Sequence, residues 1–209
     1  MDELNELSIE YGDLDIESYF ELMDISDEQK EKRKDAASDF WDALLFLFAL
    51  IRVSIEYADF DYNYILTQFQ NRYSEMVSEY ARLDSYIEQY IDTFTHNTLN
   101  TTIERLNLTS ENDYWTSDKR ALGIALNEAN SVLNYEELQQ AIDKGYTHKQ
   151  WRAEIDRKTR DEHREMNGKT IPIDQYFHFS DCEMMMPHDE VNGTAEQLVN
   201  CRCALKYSK

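Results

Sequence analysis

Glycine and proline are scarce in this 209-residue chain, with five and two copies. So few turn-formers exclude an all-β domain of many tight turns, and they exclude collagen-like or linker-like character as well. Positive charge is also short: 21 Lys and Arg stand against 42 Asp and Glu, a formal net charge of −21. A surface of that sign repels polyphosphate unless its bases gather on one face, so duplex binding by the whole molecule is excluded. There are three cysteines, an odd count, and Cys201 and Cys203 lie too close in sequence to pair without strain, which argues against a secreted disulfide framework. The N-terminal Met-Asp-Glu-Leu-Asn-Glu has neither the positive nor the apolar region of a secretory leader, so a reducing cytoplasm is expected.

Long hydrophobic runs are missing too. The uninterrupted apolar stretch from Ala43 to Ile51 falls well short of the roughly 20 residues that span a bilayer. Asp39, Asp42, Arg52 and Glu56 bracket it, so it reads as a buried helix, or a helix that docks onto a partner, rather than a membrane segment. What the chain does have is 42% hydrophobic and 12% aromatic residues, enough to bury a core despite the charge. Helix is the default expectation.

Residues 1–30 carry eleven acids and the single base Lys30, with Leu14, Tyr19, Phe20 and Met23 scattered among them. This reads as an acidic arm, flexible or ordering on a partner. The basic stretch Lys30 to Lys34 that follows reads as a solvated first turn. Large apolar residues from Tyr62 to Phe94 recur in steps of one, three or four, which predicts one long helix of roughly 50 Å. Such a helix needs a partner alongside: the helix around residues 36 to 57, or a neighbouring subunit held by the tyrosines at 57, 62, 64, 73, 80, 86 and 90. A further helix is predicted from about Ser117 to Ile142, with Gly145 as its C-terminal cap.

That glycine divides the charge. Residues 1–145 hold 31 acids and 11 bases, while residues 146–209 hold 11 and 10. The segment 146–209 also contains both prolines, all three cysteines and four of the five histidines, so chemistry belongs there. It reads as a basic helix over Lys149 to Met166, a turn at Asn167-Gly168, a strand over Lys169 to Phe179 and a terminal strand through Leu198 to Leu205. The fold class is therefore α+β and predominantly helical: an acidic arm (1–30), a helical hairpin or bundle (31–145) and a small α+β module (146–209).

Within that module stand Gly145-Tyr-Thr-His-Lys-Gln-Trp151, then Asp156, Arg160, His163, Asn167-Gly168, Ile173-Asp174 before Phe177, Met185-Met186-Pro187-His-Asp189, and Asn200-Cys201-Arg202-Cys203. This ordered combination resembles the C-terminal domain of phage Mu F-like minor head proteins, the phage head morphogenesis family. The resemblance covers the module from Gly145 to the C-terminal end closely and the preceding helix more loosely. It implies a virion or procapsid component, assembled in the host bacterial cytoplasm, that sits near the portal vertex and serves head assembly, DNA packaging or delivery. Portal and capsid proteins are the implied partners, with weak or indirect DNA contact, no membrane, and self-association through helical faces as a further option. The resemblance implies no catalytic activity and no required cofactor.

Three chemical readings stand beside it. His163, Cys201 and Cys203 are zinc-ligating residue types, since thiols two apart in a strand share a face, with Cys182, His178 or His188 available as a fourth donor. Cys201 or Cys203 with His163 and Asp156 would suit a hydrolase, and Asp156, Arg160, His163, Asp174 and Asp189 a metal-dependent nuclease, either of them a toxin-like effector built on this module. The bases Lys149, Arg152, Arg157, Lys158, Arg160 and Arg164 are the one nucleic-acid face the sequence offers, but Glu154, Asp156, Asp161, Glu162 and Glu165 interleave with them as an ion-pair lattice.

Overall fold

The computed structural model describes residues 15–108 and 113–209. In order the described elements are helices α1 (Ile16–Glu21), α2 (Asp27–Glu56), α3 (Tyr62–Tyr80) and α4 (Ser85–Leu108), a 3-10 turn (Asp113–Thr116), α5 (Asp118–Asp143), strand β1 (His148–Arg152), α6 (Asp161–Met166), β2 (Thr170–Pro172), β3 (Phe177–His178), β4 (Glu183–Met184), α7 (Ala195–Leu198) and β5 (Ala204–Ser208). The chain is α+β and mostly helical, as its composition requires.

Local chemistry sets the helix ends. Ser26 accepts from the Gln29 amide at 3.3 Å while the Gln29 side chain accepts from the Ser26 amide at 3.1 Å, a reciprocal cap that starts α2. Ser117 caps α5 through the Arg120 amide at 3.2 Å. Gly145 ends α5 with φ of 71°, its amide bonding Ile142 O at 2.9 Å and the Tyr146 amide reaching Ala141 O at 3.0 Å, so the left-handed backbone satisfies two terminal carbonyls.

The apolar run in α2 is core: Ala43, Leu44, Leu47, Phe48 and Ile51 are buried. The single long helix expected over residues 62 to 94 is instead two. Ala81 is extended, and Asp84 Oδ1 accepts from the Tyr86 and Ile87 amides at 3.0 and 3.2 Å, so α4 starts afresh. The chain then doubles back, bringing Phe94 onto Tyr73 with ring centroids 4.6 Å apart and Tyr62 onto Asn100 at 2.8 Å. Periodicity missed this because Val77, Tyr80, Leu83 and Ile87 keep helical spacing across the break. Folding back lays α4 against α3, so the companion helix comes from within the chain.

The basic stretch at the start of α2 is solvated only in part: Glu31 and Lys32 are exposed, but Arg33 and Lys34 are not. Arg33 is fully buried, and Lys34 pairs with Glu17, Glu21 and Glu31 at 2.7 to 2.9 Å. Those contacts hold α1 in place, and Tyr19, Phe20 and Met23 enter the core. Residues 15–30 of the expected acidic arm thus order on the chain itself; residues 1–14 lie outside the described residues.

The C-terminal sheet has the antiparallel order β2-β1-β5, with Lys149 opposite Ile171 and Tyr207, and Trp151 opposite Leu205. Lys149 to Arg152, expected on a basic helix, form its central strand. Lys149 is buried and donates to Met185 O at 2.7 Å, so it belongs to the core and not to a basic helix face. Lys149 and Trp151, two apart on a strand, share the sheet's buried face. Among the described residues only 161–166 of the predicted 149–166 helix are helical.

A candidate buried thiol-imidazole centre

Three segments build the centre, two of them neighbours in sequence and the third near the C-terminal end. Helix α6 carries His163, the loop after α7 carries Cys201 and Cys203, and β1 supplies the Trp151 ring that closes over them. The strand predicted through Leu198 to Leu205 begins only at Ala204, so the two thiols leave a loop rather than a strand. Asn200 allows this by adopting φ of 57°, a left-handed conformation that asparagine tolerates, while its amide bonds Asn127 Oδ1 at 2.9 Å. A second reversal follows α6, where Gly168 has φ of 83° and the Lys169 amide bonds Met166 O at 2.9 Å.

His163 Nδ1 lies 3.6 Å from Cys201 Sγ and 3.4 Å from Cys203 Sγ. His163, Cys201 and Cys203 are each about 2% exposed. Rings of Trp151 and Phe179 stand 5.6 and 5.5 Å from the imidazole, and Phe177 packs on Trp151 at 5.1 Å.

The other imidazole nitrogen settles the tautomer. His163 Nε2 is 3.0 Å from Gln197 Oε1, while Gln197 Nε2 donates to Glu162 Oε2 at 2.7 Å and Asp181 Oδ1 at 3.0 Å. Hydrogen bonds from Ser180 and from Thr194 respectively hold the Glu162 and Asp181 carboxyls below their usual range. Two carboxylates therefore fix the amide nitrogen, the amide oxygen accepts from Nε2–H, and the Nδ1 lone pair faces both sulfurs. Burial pushes the Cys203 thiol well up.

The expected fourth donors are elsewhere. His178 pairs with Glu183 at the surface, His188 Nε2 bonds the Cys201 carbonyl, and Cys182 is separate. The expected carboxylate cluster does not assemble: Asp156 pairs with Arg202, Arg160 donates to Val199 O at 2.6 Å, and Asp189 accepts from Tyr86 Oη at 2.8 Å and from the Met185 amide at 2.8 Å. Among the described residues, His163, Cys201 and Cys203 are the one group of three metal-ligating side chains that converges. Pro187 lends its carbonyl to Asn134 Nδ2 at 3.2 Å.

A polar axis ties this module to the helices, and its members were not singled out from the sequence. Arg33 donates to Glu137 at 2.7 and 3.0 Å, to Asn130 Oδ1 at 2.9 Å and to Asn134 Oδ1 at 3.0 Å. The same two asparagines turn their Nδ2 groups to Cys201 O at 3.1 Å and Cys203 O at 3.3 Å. A buried arginine thus orients two amides, and the amides hold the backbone that carries the thiols. The available signal was the spacing of Asn130, Asn134 and Glu137, which puts three polar groups along one helix face. A second buried polar cluster lies between α3, α4 and α5, where Glu128 accepts from the hydroxyls of both Tyr73 and Tyr90.

No helix of the described residues is long and apolar enough to cross a membrane. No solved structure matches the chain. Over 91 residues the chain is 36% identical to the NAD(+)--arginine ADP-ribosyltransferase EFV of Enterococcus faecalis, a stretch that is 42% of this chain and 18% of that protein. The chain therefore covers less than a fifth of that relative. Residues 71–206, which include α4, α5 and every segment of the thiol-imidazole centre, match the family described as Phage Mu protein F like protein, and the chain belongs to that family.

Proposed function

We propose that the protein is a minor head protein that docks at the portal vertex or on the adjoining inner capsid and acts in head morphogenesis, DNA packaging or delivery. The family membership carries this reading. The surface supports it. At the turn between α2 and α3, Val53, Ile55, Tyr57, Phe60 and Tyr64 are exposed, Tyr57 by 73%. This apolar tip stands at the opposite end of α2 from the Asp24–Arg152 ion pair that ties the α1–α2 turn to β1, about 45 Å away at 1.5 Å per residue. Aromatic and aliphatic side chains grouped this way suit a protein contact, while the net charge of −21 keeps the molecule off packaged DNA. Tyr73 and Tyr90, counted with these tyrosines in the sequence, are buried and serve folding instead.

On this reading the protein resides in the virion or procapsid and is assembled in the host cytoplasm. The test is co-sedimentation of the purified chain with portal rings and procapsids of its own phage. Ile55→Asp and Tyr57→Asp should leave the circular dichroism unchanged and weaken binding at least tenfold. Failure of the folded wild-type chain to bind either particle overturns the proposal.

The Enterococcus relative supports a second reading, a toxin-like effector that uses this module. An effector would modify arginine-containing targets in the presence of NAD+, and a radiolabelled transfer assay with the purified chain separates the two readings.

A further inference from the structure

We propose that His163 Nδ1, Cys201 Sγ and Cys203 Sγ bind one zinc ion that staples α6 to the C-terminal loop. Zinc holds thiolate sulfur at about 2.3 Å and imidazole nitrogen at about 2.0–2.1 Å, so tetrahedral geometry sets N and S donors about 3.6 Å apart. The observed separations are 3.6 and 3.4 Å. A thiol donating to imidazole would show a similar length, but one Nδ1 lone pair accepts one proton well, and here two sulfurs stand almost equally close to it.

The surroundings separate the two accounts further. A metal-bound histidine characteristically donates its second nitrogen to a fixed acceptor, and Gln197, locked by Glu162 and Asp181, supplies that acceptor to Nε2–H. The indole N–H of Trp151, whose ring stands 5.6 Å from the imidazole, is buried without a hydrogen-bond partner. Three protein donors leave one position of the tetrahedron for water. With each donor about 2% exposed, substrate does not reach the ion, so its role is structural. Binding would release the thiol protons and leave both cysteines as thiolates. The ion would span residues 163 to 203, a large loop in a region whose regular elements are a three-stranded sheet, a two-residue strand pair and two short helices.

The experiment uses the full chain purified under reducing conditions without added chelator. Elemental analysis should give about one zinc per chain. The metal-stripped protein, titrated with Co2+, should develop the visible bands of a tetrahedral site together with thiolate charge transfer, and Zn2+ should abolish both. Cys182→Ser should bind as the wild type does. His163→Gln and Cys203→Ser should lose the bands. Gln197→Leu keeps all three donors, and its zinc affinity should fall roughly 10- to 100-fold. A folded wild-type protein with no zinc, no cobalt bands and a melting temperature indifferent to a strong chelator overturns the proposal, whatever the variants do. That outcome would leave the portal reading standing, since docking at the apolar tip does not depend on the ion.

Discussion

Replacing Arg33 by methionine should unfold the link between the helices and the C-terminal module before it disturbs anything else. Methionine fills much of the same volume and removes the guanidinium, which is wholly buried and makes two hydrogen bonds to Glu137 and one each to Asn130 and Asn134. Breaking a buried ion pair from one side costs about 3–5 kcal/mol, because the remaining partner is stranded. Glu137 is 16% exposed and can recover some hydration, which places the expected loss near the lower end, about 3 kcal/mol. For a chain of this size that lowers the melting temperature by roughly 6–12 °C.

The assay is urea denaturation of four proteins: wild type, Arg33→Met, Glu137→Leu and the double variant. Removing both charges strands neither, so the double variant should be more stable than the two single losses added together by more than about 1 kcal/mol. Asn130 and Asn134 also hold the carbonyls of Cys201 and Cys203, so hydrogen exchange should rise in residues 200–203 of Arg33→Met as well as in α2. A single variant within about 0.5 kcal/mol of wild type, or strictly additive losses, would refute the polar axis as a stabilising link.

Other perturbations test separate parts of the fold. Burial, with Glu190 nearby, raises the Glu128 carboxyl from about 4.5 to about 8, so between those values the folded state holds a proton the unfolded chain has lost. Its contribution is full below pH 4.5 and is lost as pH rises through 8, on the order of 4–5 kcal/mol. Glu128→Gln should flatten that part of the stability profile, and an unchanged slope would contradict the assignment. At Gly193 a Cβ would stand 2.8 Å from Asp189 O and 2.8 Å from Leu198 Cδ2, so Gly193→Ala should lower the stability read from the denaturation midpoint by about 1–3 kcal/mol, and an unshifted midpoint would count against the packing described. Tyr86→Phe deletes the bond to Asp189 that joins α4 to the 185–193 loop, with an expected cost of about 1.5–3 kcal/mol by thermal melting; no loss would mean the contact is immaterial.

Much of this molecule is determined locally, and so is legible in the sequence. Scarce glycine and proline together with three- and four-residue apolar spacing fix a mostly helical chain. Ser117 and Gly145 mark the ends of α5 because their cap bonds reach only a few positions along the chain. Gly168 marks a turn for the same reason. The charge partition and the concentration of Cys, His and Pro in the segment 146–209 direct attention to the right module.

Tertiary structure decided what depends on partners far along the chain. Periodicity records which face of a helix is apolar and not whether the helix continues, so Ala81 to Asp84 read as helix until Asp84 is seen capping α4. A buried arginine and a solvated one look alike in a basic run; Arg33 is distinguished only by Asn130 and Glu137, about 100 positions on. Lys149 reads as helix surface until sheet pairing makes it the middle of a strand. The sequence by itself proposed His163, Cys201 and Cys203 as one group, on residue type and the two-residue spacing of the thiols. Their convergence was decided by the left-handed turn at Asn200 and the tautomer set by Gln197, because ligand geometry is a property of loops held from several directions, which no single stretch of sequence contains.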